Sequence, residues 1–404
     1  MRALVWGALV CAACVGSAAA AGPQRLSAYV AAEGQPNADR PLHGIVIVAW
    51  DAENVSSTTD LSAELNTDTL RLAATEIPLE GQTTLNLRLS GEAFVAGLST
   101  DAWRDGAVVP AETFRSSYVQ GQIWVKGRPA GDLWAEAELG VRRWIFQRVN
   151  GDTGADFTLP ADTSVLEPRL RLTWWGLRDD AAWHERQRLF PRLRGFAAGV
   201  EAGVDLRGTA HDWGAGGASH GSVGRQPGGV PIGALVDQGD RNRRRDAIAR
   251  LRPWALAGWQ ATHALRWQGS AEGGLTSGDD DVSRRTVGGL NAYTAQIPGV
   301  PWAHDRAGNY AHAETSLQVA FCDGWEAGPL AAVAVLSDRE RTGSSDAAAE
   351  WGLGAVLDAR LGAWQLDLRG GYSPSLAARS DKPAFTAYLG AGWAGGLQQA
   401  DPPK

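Results

Sequence analysis

The run Leu133-Trp134-Ala135-Glu136-Ala137-Glu138-Leu139-Gly140-Val141-Arg142 decides the fold class. Its odd positions are Leu133, Ala135, Ala137, Leu139 and Val141. Its even positions are Trp134, Glu136, Glu138, Gly140 and Arg142. Successive side chains of a β-strand point to opposite faces, so the run is a strand with one apolar and one polar face. The pattern recurs. Leu166, Pro168, Leu170, Leu172 and Trp174 alternate with Glu167, Arg169, Arg171 and Thr173. Phe196, Ala198, Val200, Ala202, Val204 and Leu206 alternate with Ala197, Gly199, Glu201, Gly203, Asp205 and Arg207. Leu85, Leu87 and Leu89 alternate with Asn86, Arg88 and Ser90.

These runs are about 9–12 residues long, against the ~5–6 usual in soluble sheets. A tilted membrane-spanning strand needs about 9–11. In a membrane barrel the apolar face meets lipid and the polar face a wet lumen. Fifteen runs are expected as strands: 25–32, 43–50, 68–76, 82–95, 115–127, 132–146, 164–175, 192–208, 246–258, 261–275, 311–321, 327–337, 348–360, 363–373 and 384–393. Bacterial outer-membrane barrels usually have an even strand number. The fold expected is therefore all-β, an antiparallel transmembrane β-barrel of about 16 strands, with 12–14 as the alternative. Trp50, Trp124, Trp134, Trp144, Trp174, Trp175, Trp254, Trp259, Trp267, Trp351, Trp364 and Trp393 fall in or near strand ends, where aromatic girdles would sit at the membrane interfaces.

Composition agrees. The chain has 404 residues, 21% charged, with 38 Lys+Arg, 45 Asp+Glu and a formal net charge of -7. That excludes a global basic footprint and argues against nucleic acid as partner. Arg2, the apolar stretch Ala3–Val15 and the small residues Ser17–Ala21 read as a secretory signal peptide over residues 1–21. Residues 22–404 are then the barrel, with 22–110 the less regular part. Cys11 and Cys14 lie in the leader, which leaves Cys322 and no intrachain disulfide. Export and the absence of a long apolar helix leave an outer-membrane barrel of a Gram-negative bacterium or a soluble periplasmic β-sandwich.

Two connections are long. Residues 209–245 are Gly-rich and end in Arg241, Arg243, Arg244 and Arg245. Residues 276–310 carry Asp279-Asp280-Asp281, Arg284-Arg285 and Gly288-Gly289. Both read as external loops or as loops folded into the lumen.

The C-terminal third carries a further pattern. Thr286-Val287-Gly288-Gly289-Leu290-Asn291-Ala292-Tyr293 is followed by Ala311–Val319, with Glu314 after small residues, and then by four more strand runs. This resembles the surface-antigen superfamily, the barrels of outer-membrane protein assembly and two-partner secretion, which end on a glycine-pair loop and five strands. The resemblance implies 16 strands and a loop held inside the barrel, with Arg284, Arg285, Gly288, Gly289 and Tyr293 as the lumen-loop candidates. The family's loop has an Arg-Gly-Phe/Tyr signature; here Tyr293 has no adjacent Arg-Gly, and the arginines precede the glycine pair. The chain is expected to lack the periplasmic repeat domains of the family, and the resemblance alone implies no assembly or secretion activity.

Sites for chemistry are few. His220-Gly221-Ser222 sits in a Gly-rich loop that offers no rigid frame for catalysis. No pair among the seven His has metal-ligand helix spacing. Asp279-Asp280-Asp281 lacks the closing Glu of a calcium loop. No enzyme and no cofactor are expected. The informative set is the polar face: Glu136, Glu138, Arg142, Glu167, Arg169, Arg171, Glu201, Asp205 and Arg207 are expected to line the lumen. Paired densely they would brace the interior; on separate walls they would orient solutes in a channel.

The leading functional expectation is a passive pore for small hydrophilic solutes, in contact with outer-membrane lipid and lipopolysaccharide. The second is a surface-antigen-like barrel with a scaffold or a protein- or lipid-insertion role. The third is a soluble periplasmic β-sandwich binding module. The oligomeric state stays open.

Overall fold

The structure is a computed structural model. It describes residues 23–35, 42–56, 58–67, 69–92, 99–100, 103–104, 107–108, 110–177, 192–214, 241–242, 246–277, 285–290, 295–301, 305–339, 348–378 and 384–397. Sixteen long strands form one sheet: β1 (Gln24–Gly34), β2 (Leu42–Ser56), β3 (Thr59–Asn66), β4 (Thr69–Pro78), β5 (Thr84–Glu92), β6 (Phe114–Ala130), β7 (Leu133–Arg148), β8 (Thr163–Leu177), β9 (Gly195–Arg207), β10 (Ala247–Gln260), β11 (Leu265–Thr276), β12 (Asp305–Cys322), β13 (Trp325–Arg339), β14 (Ala348–Leu361), β15 (Trp364–Tyr372) and β16 (Phe385–Leu397). Each pairs antiparallel with its sequence neighbours. β1 pairs with β16 over its whole length, from Gln24–Leu397 to Gly34–Ala387. The sheet thus closes into a 16-stranded barrel and has no free edge.

Paired residues of neighbouring strands share a face. Val30–Val46, Leu87–Ile123, Leu139–Pro168, Leu172–Val200 and Val333–Trp351 therefore lie on one surface. That surface is the outside: Val30, Leu170 and Leu389 are 57%, 64% and 52% exposed. An apolar outer face around the whole sheet is the lipid-facing pattern of a membrane barrel. The polar half of each alternation points inward.

The barrel has two unlike ends. At one, Gly131-Asp132, Asp323-Gly324 and Gly362-Ala363 are two-residue turns, and each glycine is left-handed, with φ of 49°, 76° and 62°. Such turns need φ > 0, which glycine adopts without steric cost. Four long connections, 93–113, 149–162, 208–246 and 277–304, leave from the other end, and one, 178–194, leaves from the same end as these turns. We call these the turn end and the loop end.

The structure adds one strand to the fifteen expected runs, β3. It also redirects several tryptophans. Trp174, Trp259, Trp267, Trp364 and Trp393 face outward at the turn end, where Trp259 pairs with Trp267 and Trp364 with Trp393. Trp351 faces outward at the loop end, next to the pair Tyr372–Phe385. Trp124, Trp134, Trp144 and Trp254 face the lumen instead of a girdle. Cations there cover indole faces: Arg88 lies 5.1 Å from the Trp124 ring and Lys126 4.4 Å from Trp134.

Candidate functional site

The sequence between β11 and β12 builds the most distinctive part of the interior. Arg285–Val287 pairs with the start of β12, and the chain then turns into the barrel. Gly288 and Gly289 have φ of 105° and 85°. The Gly288 N–H donates to Ala295 O at 3.0 Å and the Gly289 N–H to Val300 O at 2.8 Å, which closes the segment on itself. Beside this turn stands Glu33 of β1, fully buried. The Leu290 N–H donates to Glu33 Oε1 at 2.8 Å, and Gln35 Nε2 donates to the same oxygen at 3.4 Å. A Cβ on Gly289 would lie 2.9 Å from Glu33 Oε1. Both the backbone angle and the close approach therefore require glycine at 289. A buried carboxylate needs such donors, because a charge left unsatisfied away from water is costly.

The second half of the segment docks on the far C-terminal strands. The Gly299 N–H donates to Thr386 Oγ1 of β16 at 2.9 Å. His312 Nε2 of β12 lies 2.7 Å from Gln296 O, and Arg369 Nη1 of β15 donates to Gln296 Oε1 at 3.0 Å. Pro298 lies where Gly352, Gly354 and Gly371 leave room on β14 and β15. Val287, Ala295, Ile297 and Val300 pack on Ala307, Tyr310, Ala334 and Leu336. Leu290 packs on Tyr29, Ala31, Ile45, Leu330 and Tyr388. Each of the large apolar side chains buried here stabilises the docked state by about 1.5–3 kcal/mol. The segment touches β1 through Leu290 and β16 through Gly299, on the two sides of the closing seam. Under it, Tyr29 Oη of β1 donates to Asp367 Oδ2 at 3.0 Å and lies 2.9 Å from Tyr388 Oη of β16.

The opposite wall carries the charged ladder. Arg171 bridges Glu136 and Glu201, both at 2.6 Å. Arg169 reaches Glu167 at 3.2 Å and Glu138 at 3.8 Å. Arg142 reaches Glu167 at 3.2 Å, and Gln120 Nε2 donates to Glu167 at 2.5 Å. Asp205 pairs with Arg250 at 2.7 Å. Arg207 lies on the same inward face, with its backbone paired to Val165. The opposite charges thus meet between neighbouring strands β7–β10 along one wall, and not across the barrel.

Above this wall, at the loop end, Phe114, Phe146, Phe157 and Trp213 form a buried aromatic cluster. Phe157 and Trp213 come from the connections after β7 and β9, so part of the mouth is covered by packed side chains. Arg148 holds the cover down by donating to the carbonyls of Gly154 and Phe157. Below the inserted segment lies a cavity of about 270 Å³, lined by Gln296, Glu314, Arg369, Arg266, Asp358 and Leu193 among others.

Of the lumen-loop residues named from sequence, Gly288 and Gly289 sit at the contact with β1. Arg285 is in the short paired strand, and its side chain is outside the described residues. Arg284 and Tyr293 also lie outside them, as do His220-Gly221-Ser222, Asp279-Asp280-Asp281, Arg243, Arg244 and Arg245. The residues that receive the segment, Glu33, Thr386, His312 and Arg369, carried no signal in sequence. Glu33 and Leu290 are separated by 257 positions.

The fold defines the class as a closed sixteen-stranded β-barrel of the outer-membrane type, with a segment of one loop docked on its inner wall. Solved structures of that kind superpose on it. BamA from Haemophilus ducreyi lacking POTRA domains 1–3 gives a TM-score of 0.59 at 9% identity, covering 93% of this chain and 70% of that one. CdiB from Escherichia coli gives 0.54 at 13% identity, over 92% of this chain and 63% of that one. CdiB from Acinetobacter baumannii gives 0.52 at 8% identity, over 92% and 60%. The chain spans less than two thirds of either CdiB. At these identities the likeness is one of fold, and it extends over nearly the whole chain, beyond the C-terminal third in which the sequence resemblance lies. No protein-family model and no curated protein matches the sequence.

Proposed function

We propose that this protein is an outer-membrane barrel of the surface-antigen kind, acting as a scaffold for protein or lipid insertion with its lumen braced at rest. One observation carries the reading: residues 287–290 and 295–301 are seated on the inner wall by Glu33, Thr386, His312 and Arg369. An open diffusion pore has no need of a segment built to fit its wall so closely. The fold likeness to BamA and CdiB supports the same reading.

Planar-bilayer recording tests it. The wild type should show little steady conductance, and deletion of 288–301 should open large, long-lived channels. A wild type that conducts as well as the deletion variant would rule the braced scaffold out. It would favour the second reading, a passive pore for small hydrophilic solutes. That reading draws on the ladder wall of β7–β10, whose acids and bases neutralise one another next to the wet interior.

A further inference from the structure

Among the described residues the outer face of the barrel is apolar with scattered neutral polar groups and one charged pair. Alternation and register turn only two described charged side chains of the strands outward, Arg115 of β6 and Arg143 of β7. Both are exposed. They are of one sign, on adjacent strands, and both near the loop end. Arg143 lies between outward Val141 and Ile145, which are 53% and 40% exposed. Arg115 pairs in register with Gln147, four positions further toward the loop end. Among the described residues neither arginine has a carboxylate partner; Arg143 Nη1 donates to Ser164 Oγ at 3.4 Å.

Their height follows from the aromatic girdle. Trp174 of the turn-end belt pairs with Leu133, ten positions before Arg143 on β7. Ten residues of strand rise about 34 Å, or about 26 Å along the barrel axis at the ~40° tilt usual for such barrels. That is about the ~25 Å height of the outward apolar band. Arg143 therefore lies at the opposite membrane interface, and Arg115 roughly one headgroup further out. A lipid-facing arginine is costly at the bilayer centre and nearly neutral at the interface. There, an anionic headgroup supplies charge-assisted acceptors to its guanidinium.

We propose that Arg115 and Arg143 form a binding site for the phosphates of lipopolysaccharide on the outer face of β6–β7. Ser117, Gln147 and Ser164 share this outward surface and add neutral donors. The choice of lipopolysaccharide rests on the outer-membrane reading above, because longer loops mark the extracellular end of such barrels and hence the outer leaflet. The two arginines stand at different heights, which suits a headgroup bearing more than one phosphate.

The test uses full-length protein extracted from membranes, as wild type and with Arg115→Gln and Arg143→Gln singly and together. Native mass spectrometry would measure rebinding of lipid A, dephosphorylated lipid A and phosphatidylglycerol. Each single substitution should weaken lipid A about tenfold and the pair about a hundredfold. Binding of the other two lipids should not change. A heat-dependent gel shift in every variant would show that the barrel is intact. Unaltered lipid A binding by a folded double variant overturns the site. An equal loss of phosphatidylglycerol binding overturns the assignment to lipopolysaccharide. Wild-type protein found in the soluble fraction would overturn the membrane reading itself, and the site with it.

Discussion

Glu33 and Gly289 show how much of the interior depends on single residues. Glu33 is a buried carboxylate whose acceptor role ties β1 to a segment 257 positions away. A Gly289→Val substitution would force a side chain onto Glu33 at a left-handed φ of 85°. It should unseat the segment while the outer strands stay paired. The expected result is a retained heat-shifted band together with an increase in bilayer conductance. In the ladder, Glu167 is 1% exposed and serves Gln120, Arg142 and Arg169. Glu167→Ala leaves Arg142 without its carboxylate, Gln120 without its acceptor and Arg169 with Glu138 alone at 3.8 Å, and should cost about 3–5 kcal/mol in urea unfolding. Glu136→Ala should cost about 0–1 kcal/mol, because Arg171 keeps Glu201 and the pair is partly wet. Equal losses for the two variants would contradict the ladder. The polar identity of this face was legible from period 2 alone. Which carboxylate is the hub was not, because that depends on the register between β6, β7 and β8.

At the level of elements, period-2 alternation located every long strand but one. β3 is only eight residues, Thr59–Asn66, and its outward face offers Leu61, Ala63 and Leu65 between polar neighbours. Too few apolar positions stand out there for a strand to be seen without its partners. β12 begins at Asp305, earlier than the run 311–321 suggests, because its first residues pair with Arg285–Val287. The tryptophans were located but not oriented: strand-end position does not fix the face, and β-strand parity does. Trp124 and Trp134 have the parity of Glu138 and Glu136, and so point inward. Bromine-labelled lipids should therefore quench Trp259, Trp267 and Trp364 strongly and Trp134 little. Single-Trp variants would measure this, and equal quenching of Trp134 would contradict the assigned faces. The loop segment was legible as a glycine pair with a family likeness. Its landing site was not, since Glu33, Thr386 and Arg369 are ordinary polar residues until the barrel closes.

At the level of the whole molecule, closure and bracing are linked. The β1–β16 ladder removes the last free edge, and the 287–301 segment contacts strands on both sides of that seam. Removing the segment should lower the temperature at which the heat-shifted band is lost, as well as open the lumen. A deletion that changes conductance and leaves this temperature unaltered would separate the brace from the seam. All of this requires that the chain be a closed barrel with its apolar face in a membrane. The most direct test is fractionation of expressing cells, with the membrane band run on gels with and without boiling. A closed membrane barrel will be found in the membrane fraction and will migrate faster unheated than boiled. A soluble protein with one mobility under both conditions would contradict it.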